Sequence, residues 1–237
     1  MTGLGTIVNV VAVLVGGFLG LIFRKGLPDD IKAGLIKAIG ISVLFIGISG
    51  TLKGMFVVNA DGVAVQGTFL LIISMVLGTL IGEILKLESH LNNVGERLKT
   101  CFHDQKDPQF VDGFVTATLV ICVGAMAVVG ALEDGLNHDY SILYAKALLD
   151  GVFIMILSST MGVGVLFSAL PLLIYQGAIT LGASALAPYL SDVLVANLSY
   201  IGSVLITVIG INMIWDLDIK IGNMLPAILI PVVWALF

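Results

Sequence analysis

Apolar residues run along this chain in blocks of about twenty, set apart by short polar stretches, and within a block no polar face recurs. A helix that is apolar on every side belongs in lipid, where about 20 residues cross the hydrocarbon layer. Eight blocks predict eight spans, over residues 5–23, 33–52, 68–85, 114–132, 142–167, 170–187, 193–215 and 223–237. The fifth is long and the sixth short. Two stretches between blocks keep a periodicity of their own. "VVNADGVAVQG" alternates around a D-G pair and predicts a small hairpin. "ILKLESHLNNVGERLKTCF" sets Leu87, Leu91, Val94, Leu98 and Phe102 on one helical stripe with charges opposite. That pattern predicts an amphipathic helix on the membrane surface, in a linker over residues 86–112. Docking a soluble partner is the alternative use of this helix.

Composition sharpens the class. Of 237 residues 58% are hydrophobic and 11% charged, against about a quarter charged in soluble domains. The expected fold is a single all-α polytopic transmembrane domain over residues 1–237, with the lipid bilayer as its solvent. The first block lacks a basic n-region, so it predicts a retained span rather than a signal peptide. Nine Lys and Arg residues fall at the loops after spans one, three and seven, and only Lys53 and Lys146 on the other side. The positive-inside rule then puts both termini outside and the 86–112 linker in the cytoplasm. The net charge of −5 is scattered over the loops and gives no nucleic-acid footprint. Cys101 sits in a polar loop and Cys122 in a span, and no Cys/His spacing suits a metal. His90, His103 and His138 are all in loops, with no HExxH, GxSxG, GxGD or Walker loop, which argues against an enzyme. Nothing calls for a cofactor.

Internal similarity suggests an inverted repeat of three helices. "AIGISVLFIGISG" in span two resembles "YIGSVLITVIGIN" in span seven, with one residue of slippage. "GGFLG" in span one has a rough counterpart in "QGAITLGA" in span six, while "ISMVLGTLIG" in span three resembles "LSSTMGVGVL" in span five. If spans one to three recur as six to eight, the two halves run oppositely across the membrane, as transporter repeats do.

The polar residues inside the blocks are the candidate site. Asn9 shares a face with Gly16 and Gly20, within about 20° on a helical wheel. Stripes of small residues let helix backbones touch, so the amide among them needs a partner or a polar cavity. Lys146 and Asp150 stand four apart and stack on one face. They form either a mutually neutralising anchor or a site where Asp150 exchanges its partner for an ion or a proton. Ser158, Ser159 and Thr160 lie before "MGVGV" and are placed mid-span; hydroxyl bonds back to their own helix are the default reading, and a helix that unwinds there, which needs a protein-lined or watered cavity, is the alternative. Tyr175, Gln176 and Thr180 add polar groups in span six, Asn212 in span seven. Asn223, Pro226 and Pro231 open the last block, which reads as a broken helix with an amide at its mouth.

"GTIVN", "GFVTATLVICVGAMAVVGALEDGL", "YAKALLDG", "YQGAITLGA" and "GIN…KIGNMLPA" occur in this order over essentially the whole chain. Together they resemble the bacterial integral-membrane family catalogued as domain of unknown function 554. The resemblance implies a bacterial inner-membrane location and no particular activity. Asn9, Lys146, Asp150, Gln176, Asn212 and Asn223 match its pattern.

The expected function is transport, by a transporter or channel, of a small polar or singly charged solute. Its polar midplane cavity would be lined by Asn9, Ser158, Ser159, Gln176 and Asn212, with Asn223 nearby and Lys146 and Asp150 as an outer ion site. The alternative is a scaffold or sensor that uses its glycine faces to bind a partner or a second copy of itself as a homo-oligomer.

Overall fold

The computed structural model describes residues 2–24, 28–59, 62–101, 109–122 and 125–235. The helices are α1 Leu4–Arg24, α2 Asp29–Met55, α3 Thr68–Leu85, α4 Leu87–Cys101, α5 Phe110–Cys122 and α6 Ala125–Asn137. They continue as α7 Ser141–Met161, α8 Ala169–Leu181, α9 Ala183–Leu186, α10 Asp192–Trp215, α11 Ile221–Met224 and α12 Ile230–Trp234. Strands β1 (Phe56–Asn59) and β2 (Gly62–Val65) pair antiparallel, Phe56 with Val65 and Asn59 with Gly62, which is the hairpin expected around the D-G pair.

Among the described residues six helical segments are long and apolar enough to cross a membrane, or seven if α5 and α6, bent by 59°, form one span. Residues Ile221–Trp234 make a shorter apolar helix. Ile7, Val11, Leu14 and Phe18 of α1 stay exposed on one side while Asn9, Val13, Gly16 and Gly20 are buried on the other. An apolar surface on that scale is a lipid-facing one. The protein is a polytopic α-helical membrane protein. α4 covers most of the amphipathic stretch; Phe102, at the end of its stripe, lies outside the described residues.

Three span boundaries differ from expectation. The span expected over 142–167 ends at Met161, because Gly162 takes φ 87° and ψ −157°, a conformation only glycine adopts without strain. The following 3₁₀ segment, Val163–Ser168, instead leads into α8, so Val163–Leu181 is one apolar segment rather than 170–187. Ser158 and Ser159 therefore stand in the last turn of α7, not mid-span. The span expected over 114–132 is the bent α5–α6 pair. In the last block each proline opens a new segment: Pro226 starts the 3₁₀ turn Leu225–Leu229, and Pro231 starts α12. At those positions the missing N–H lies among groups a helix start leaves unpaired.

The chain divides into two compact units. One comprises Met1–Ile36 and Asn92–Leu190, the other Lys37–Leu91 and Ser191–Phe237. In the first, α1 and α7 run parallel in backbone contact. Gly16 lies against the Gly151 carbonyl and Gly20 against the Met155 carbonyl, so any side chain at either glycine would collide with backbone. α8 runs antiparallel to α1, with the Thr6 and Thr180 hydroxyls 3.2 Å apart. α6 seats Gly135 on the Thr180 carbonyl, and α5 lies on the 3₁₀ turn, where the Phe110 and Phe167 ring centres are 5.4 Å apart. Ahead of α7, Asp139 accepts from the Ser141 amide at 2.9 Å and from its hydroxyl, which hold this exposed carboxyl below the usual carboxylate range.

In the second unit α2 runs antiparallel to α10. Gly40, Gly47, Gly50 and Gly54 meet Met213, Thr207, Ser203 and Tyr200 in turn. Tyr200, Ile201 and Ala227 form its buried centre with Met55, Leu71, Met75 and Val204 around them. α3 runs antiparallel to the last segments, Gly78 against Ala227 and Gly82 against the Asn223 carbonyl. Phe69 and Trp234 close that pair edge to face.

Candidate functional site

Four of the polar residues singled out in the sequence meet in the core of the first unit. The α1 face that carries Gly16 and Gly20 also carries Asn9, so the close approach of α1 to α7 brings its amide to Asp150. Asn9 Nδ2 donates to Asp150 Oδ2 at 3.1 Å and to Gln176 Oε1 of α8 at 3.1 Å. Lys146 donates to the same Asp150 oxygen, one helical turn along α7. Its second contact is the Ile121 carbonyl, at 2.7 Å. Ile121 lies near the end of the described part of α5. The ammonium therefore joins the Asp150 carboxylate of α7 to a backbone carbonyl of α5.

The cluster is closed and incompletely paired. Asn9 and Gln176 are fully buried, and Lys146 and Asp150 nearly so. Asn9 Oδ1 and Gln176 Nε2 have no hydrogen-bond partner, leaving one acceptor and one donor spare beside an ion pair. A buried polar atom without a partner costs about 1–3 kcal/mol. Burying an ion pair recovers little over apolar packing of the same shape. Stability alone gives no reason for this arrangement.

The other predicted site residues lie elsewhere. Ser158 Oγ donates to the Gly162 carbonyl, Ser159 Oγ to Ile156 at 2.7 Å and Thr160 Oγ1 to Leu157 at 2.9 Å, all within their own helix end. Tyr175 is partly exposed. Asn212 and Asn223 belong to the second unit. Asn212 Nδ2 donates to the Ile219 carbonyl at 2.9 Å and holds the turn after α10, while its Oδ1 is unpartnered. Asn223 accepts the Glu88 amide of α4 at 2.7 Å, and Glu88 Oε2 accepts the Gly222 amide at 2.6 Å. Each residue caps the start of the other's helix. The mouth expected at Asn223 is thus a reciprocal cap, with the Gly222 N–H taken by a carboxylate. A crevice of about 490 Å³ between α6 and α7 is lined by Met126, Val129, Ser141, Ile142 and Ala145. It touches none of the predicted residues.

Sequence reasoning missed two carboxylates, Glu88 and Asp134. Fully buried Asp134, in α6, accepts from the amides of Gly3 at 2.8 Å, Gly5 at 3.0 Å and Thr6 at 3.3 Å, capping α1 from across the unit. Span parity carried a signal for both. It puts the end of the fourth block on the same membrane face as the start of the first, and Glu88 on the same face as the start of the eighth.

A helical membrane bundle with a paired lysine and aspartate in its core is the class these features define. The family model described as "Protein of unknown function (DUF554)" matches residues 4–236, and the chain belongs to that family. It is 30% identical over 227 residues to the uncharacterised membrane protein YdfK of Bacillus subtilis (strain 168), covering 96% of this chain and 93% of the relative. It is also 30% identical over 231 residues to the uncharacterised protein YqgA of Escherichia coli (strain K12), covering 96% and 94%. No solved structure matches.

Proposed function

We propose that the protein is a transporter of a small polar or singly charged solute in the bacterial inner membrane, and that the Asn9–Lys146–Asp150–Gln176 cluster is its binding site in a closed state. The observation that carries this reading is the buried Lys146–Asp150 pair with spare amide groups beside it. Ionisable groups inside membrane bundles mark solute, ion and proton pathways by default. No catalytic step is assigned to any residue.

Eight crossings and an inverted repeat belong to the same proposal. In the first unit α1 and α7 run one way and α5–α6 and α8 the other, as spans one, five, four and six must in an alternating chain. In the second unit α2 opposes α10 and α3 opposes α11–α12, again as their order requires. Spans one, two and three thus each pack antiparallel on six, seven and eight. Aligning "FIGIS" at 45–49 with "VIGIN" at 208–212 pairs Leu44 with Thr207 and Gly47 with Gly210. Gly47 contacts Thr207, and Gly210 contacts Leu44. Such reciprocity is what a two-fold axis between repeats produces.

Two measurements test the proposal. With both termini outside, single cysteines at Gly62 and Asn137 will react with an impermeant thiol reagent added to intact cells, and one at Asn93 will not; labelling of the Asn93 site alone inverts the topology. For transport, liposomes containing the protein are shrunk by a hyperosmotic step of glycine, sodium acetate or potassium chloride and followed by light scattering. At least one solute will re-enter faster than in protein-free liposomes. Equal re-swelling for all three removes the transport reading and leaves the scaffold.

A further inference from the structure

We infer that the solute bound at this cluster is a small zwitterion of the amino-acid type, with Gln176 Nε2 donating to its carboxylate and Asn9 Oδ1 accepting from its ammonium. This rests on the transport reading above and narrows its solute.

The ion pair fixes the orientation of both amides. Asp150 Oδ2 receives the Lys146 ammonium and, as a carboxylate oxygen, only accepts, so Asn9 must present Nδ2 to it. The same nitrogen donates to Gln176 Oε1, which leaves the glutamine N–H groups out of that bond. Left over are an acceptor, Asn9 Oδ1, and a donor, Gln176 Nε2, on two fully buried side chains. The bond joining the two amides is 3.1 Å long, so the spare atoms lie no more than about 8 Å apart. One small molecule with a donor at one end and an acceptor at the other can bridge them.

Charge selects among such molecules. Lys146 and Asp150 are paired, so the cluster is neutral as it stands. A bound cation or anion would leave one uncompensated charge in the core, which is costly at that depth. A zwitterion adds no net charge, and each of its ends makes a charge-assisted hydrogen bond, stronger than a neutral one. Asn9 Oδ1 belongs to the amide that touches Asp150, so the ammonium end comes to lie toward that carboxylate's negative charge. An uncharged amide could satisfy the same two atoms but would gain little from Asp150. No proton or electron moves on binding.

Neighbouring contacts limit the size of the solute. One turn before Asn9 on α1 and one turn after Gln176 on α8, the Thr6 and Thr180 hydroxyls meet at 3.2 Å. Two turns after Asn9, Gly16 rests on the Gly151 carbonyl, next to Asp150 on α7. The helices thus touch on both sides of the cluster, and a solute held between them must be small.

The test uses the full-length protein in liposomes preloaded with unlabelled glycine and given radiolabelled glycine outside. Uptake will exceed that of protein-free liposomes and will saturate. Excess unlabelled glycine will compete, whereas equal excesses of sodium acetate, methylammonium chloride and acetamide will not, because each offers one charged end or none. Gln176→Met keeps the side chain's length and removes its amide. It will raise the half-saturating glycine concentration about tenfold or more, as loss of one hydrogen bond to a charged group does. Full competition by acetate, methylammonium or acetamide, or an unchanged half-saturation in folded Gln176→Met, overturns the inference. If that variant does not fold, the wild-type competition pattern decides alone. Re-swelling with sodium acetate or potassium chloride but not glycine overturns this inference and leaves the transport reading standing with another solute; no re-swelling with any of the three removes both.

Discussion

Asp150→Asn will destabilise the protein more than replacing Lys146 and Asp150 together with Met and Leu. The single change keeps the Lys146 ammonium buried on α7 with only the Ile121 carbonyl as a strong partner. The new amide oxygen at this position can still accept, but it carries no charge to balance the ammonium and must serve both Lys146 and Asn9, while its N–H groups add donors to the cluster. Breaking one side of a buried pair costs about 3–5 kcal/mol, whereas exchanging the whole pair for apolar residues of similar volume is often neutral. The double variant should therefore recover most of the loss, retaining a deficit of about 1–3 kcal/mol from the acceptor withdrawn from Asn9. Thermal unfolding in one detergent of the wild type, Lys146→Met, Asp150→Leu and the double variant closes the cycle, with Asp150→Asn measured beside them. If the double variant shows the sum of the two single losses, the residues do not interact and the cluster is not a unit. Stability and function separate here: a double variant that folds well and moves no solute is what a site retained for transport predicts.

Most of the fold was legible because lipid imposes one dominant requirement, an apolar run of sufficient length. Six of the eight blocks correspond to helices long and apolar enough to span, a seventh to the bent α5–α6 pair and the last only to the shorter Ile221–Trp234 helix, and even the D-G hairpin showed in its alternation. Boundaries inside an apolar run were not legible. In "SSTMGVGVLFSALP" every residue suits lipid whether the chain continues or turns, and only the backbone angle at Gly162 ends α7. The site was half legible, for a related reason. Asn9, Lys146, Asp150 and Gln176 stand out because a polar group within a span must find a partner, yet that rule does not say which partner. Asn212 and Asn223 carried the same signal and find theirs in a turn and in a helix start. Ser158 and Ser159 had a cheaper solution in carbonyls of their own chain a few residues away. Asp134 and Glu88 escaped notice because a carboxylate at the end of a block looks like an ordinary loop charge, and the amides they cap are remote in sequence.

Asp134→Ala will uncouple the start of α1 from α6 and destabilise the first unit by about 3 kcal/mol or more. Three amides at that helix start share the one carboxylate, and it is fully buried. Hydrogen bonds to a charged group contribute about 1.5–3 kcal/mol each, and the donors left behind lie at the positive end of the α1 dipole. Water entering the vacated space will recover part of this, which keeps the expected loss below the simple sum. Asp134→Asn should fall between the two, since its oxygen can still accept from Gly5 and Thr6 while its amide N–H groups face the Gly3 donor. The effect will also be directional. Asn9 lies one turn beyond Thr6, so a loosened helix start weakens its reach to Asp150. Hydrogen exchange will accelerate at the amides of Gly5, Thr6 and the following turn of α1, while α10, in the other unit, keeps its protection. A loss within about 0.5 kcal/mol, the range of ordinary surface substitutions, would show that the α1 start is held by its helix contacts alone and that Asp134 is not its anchor.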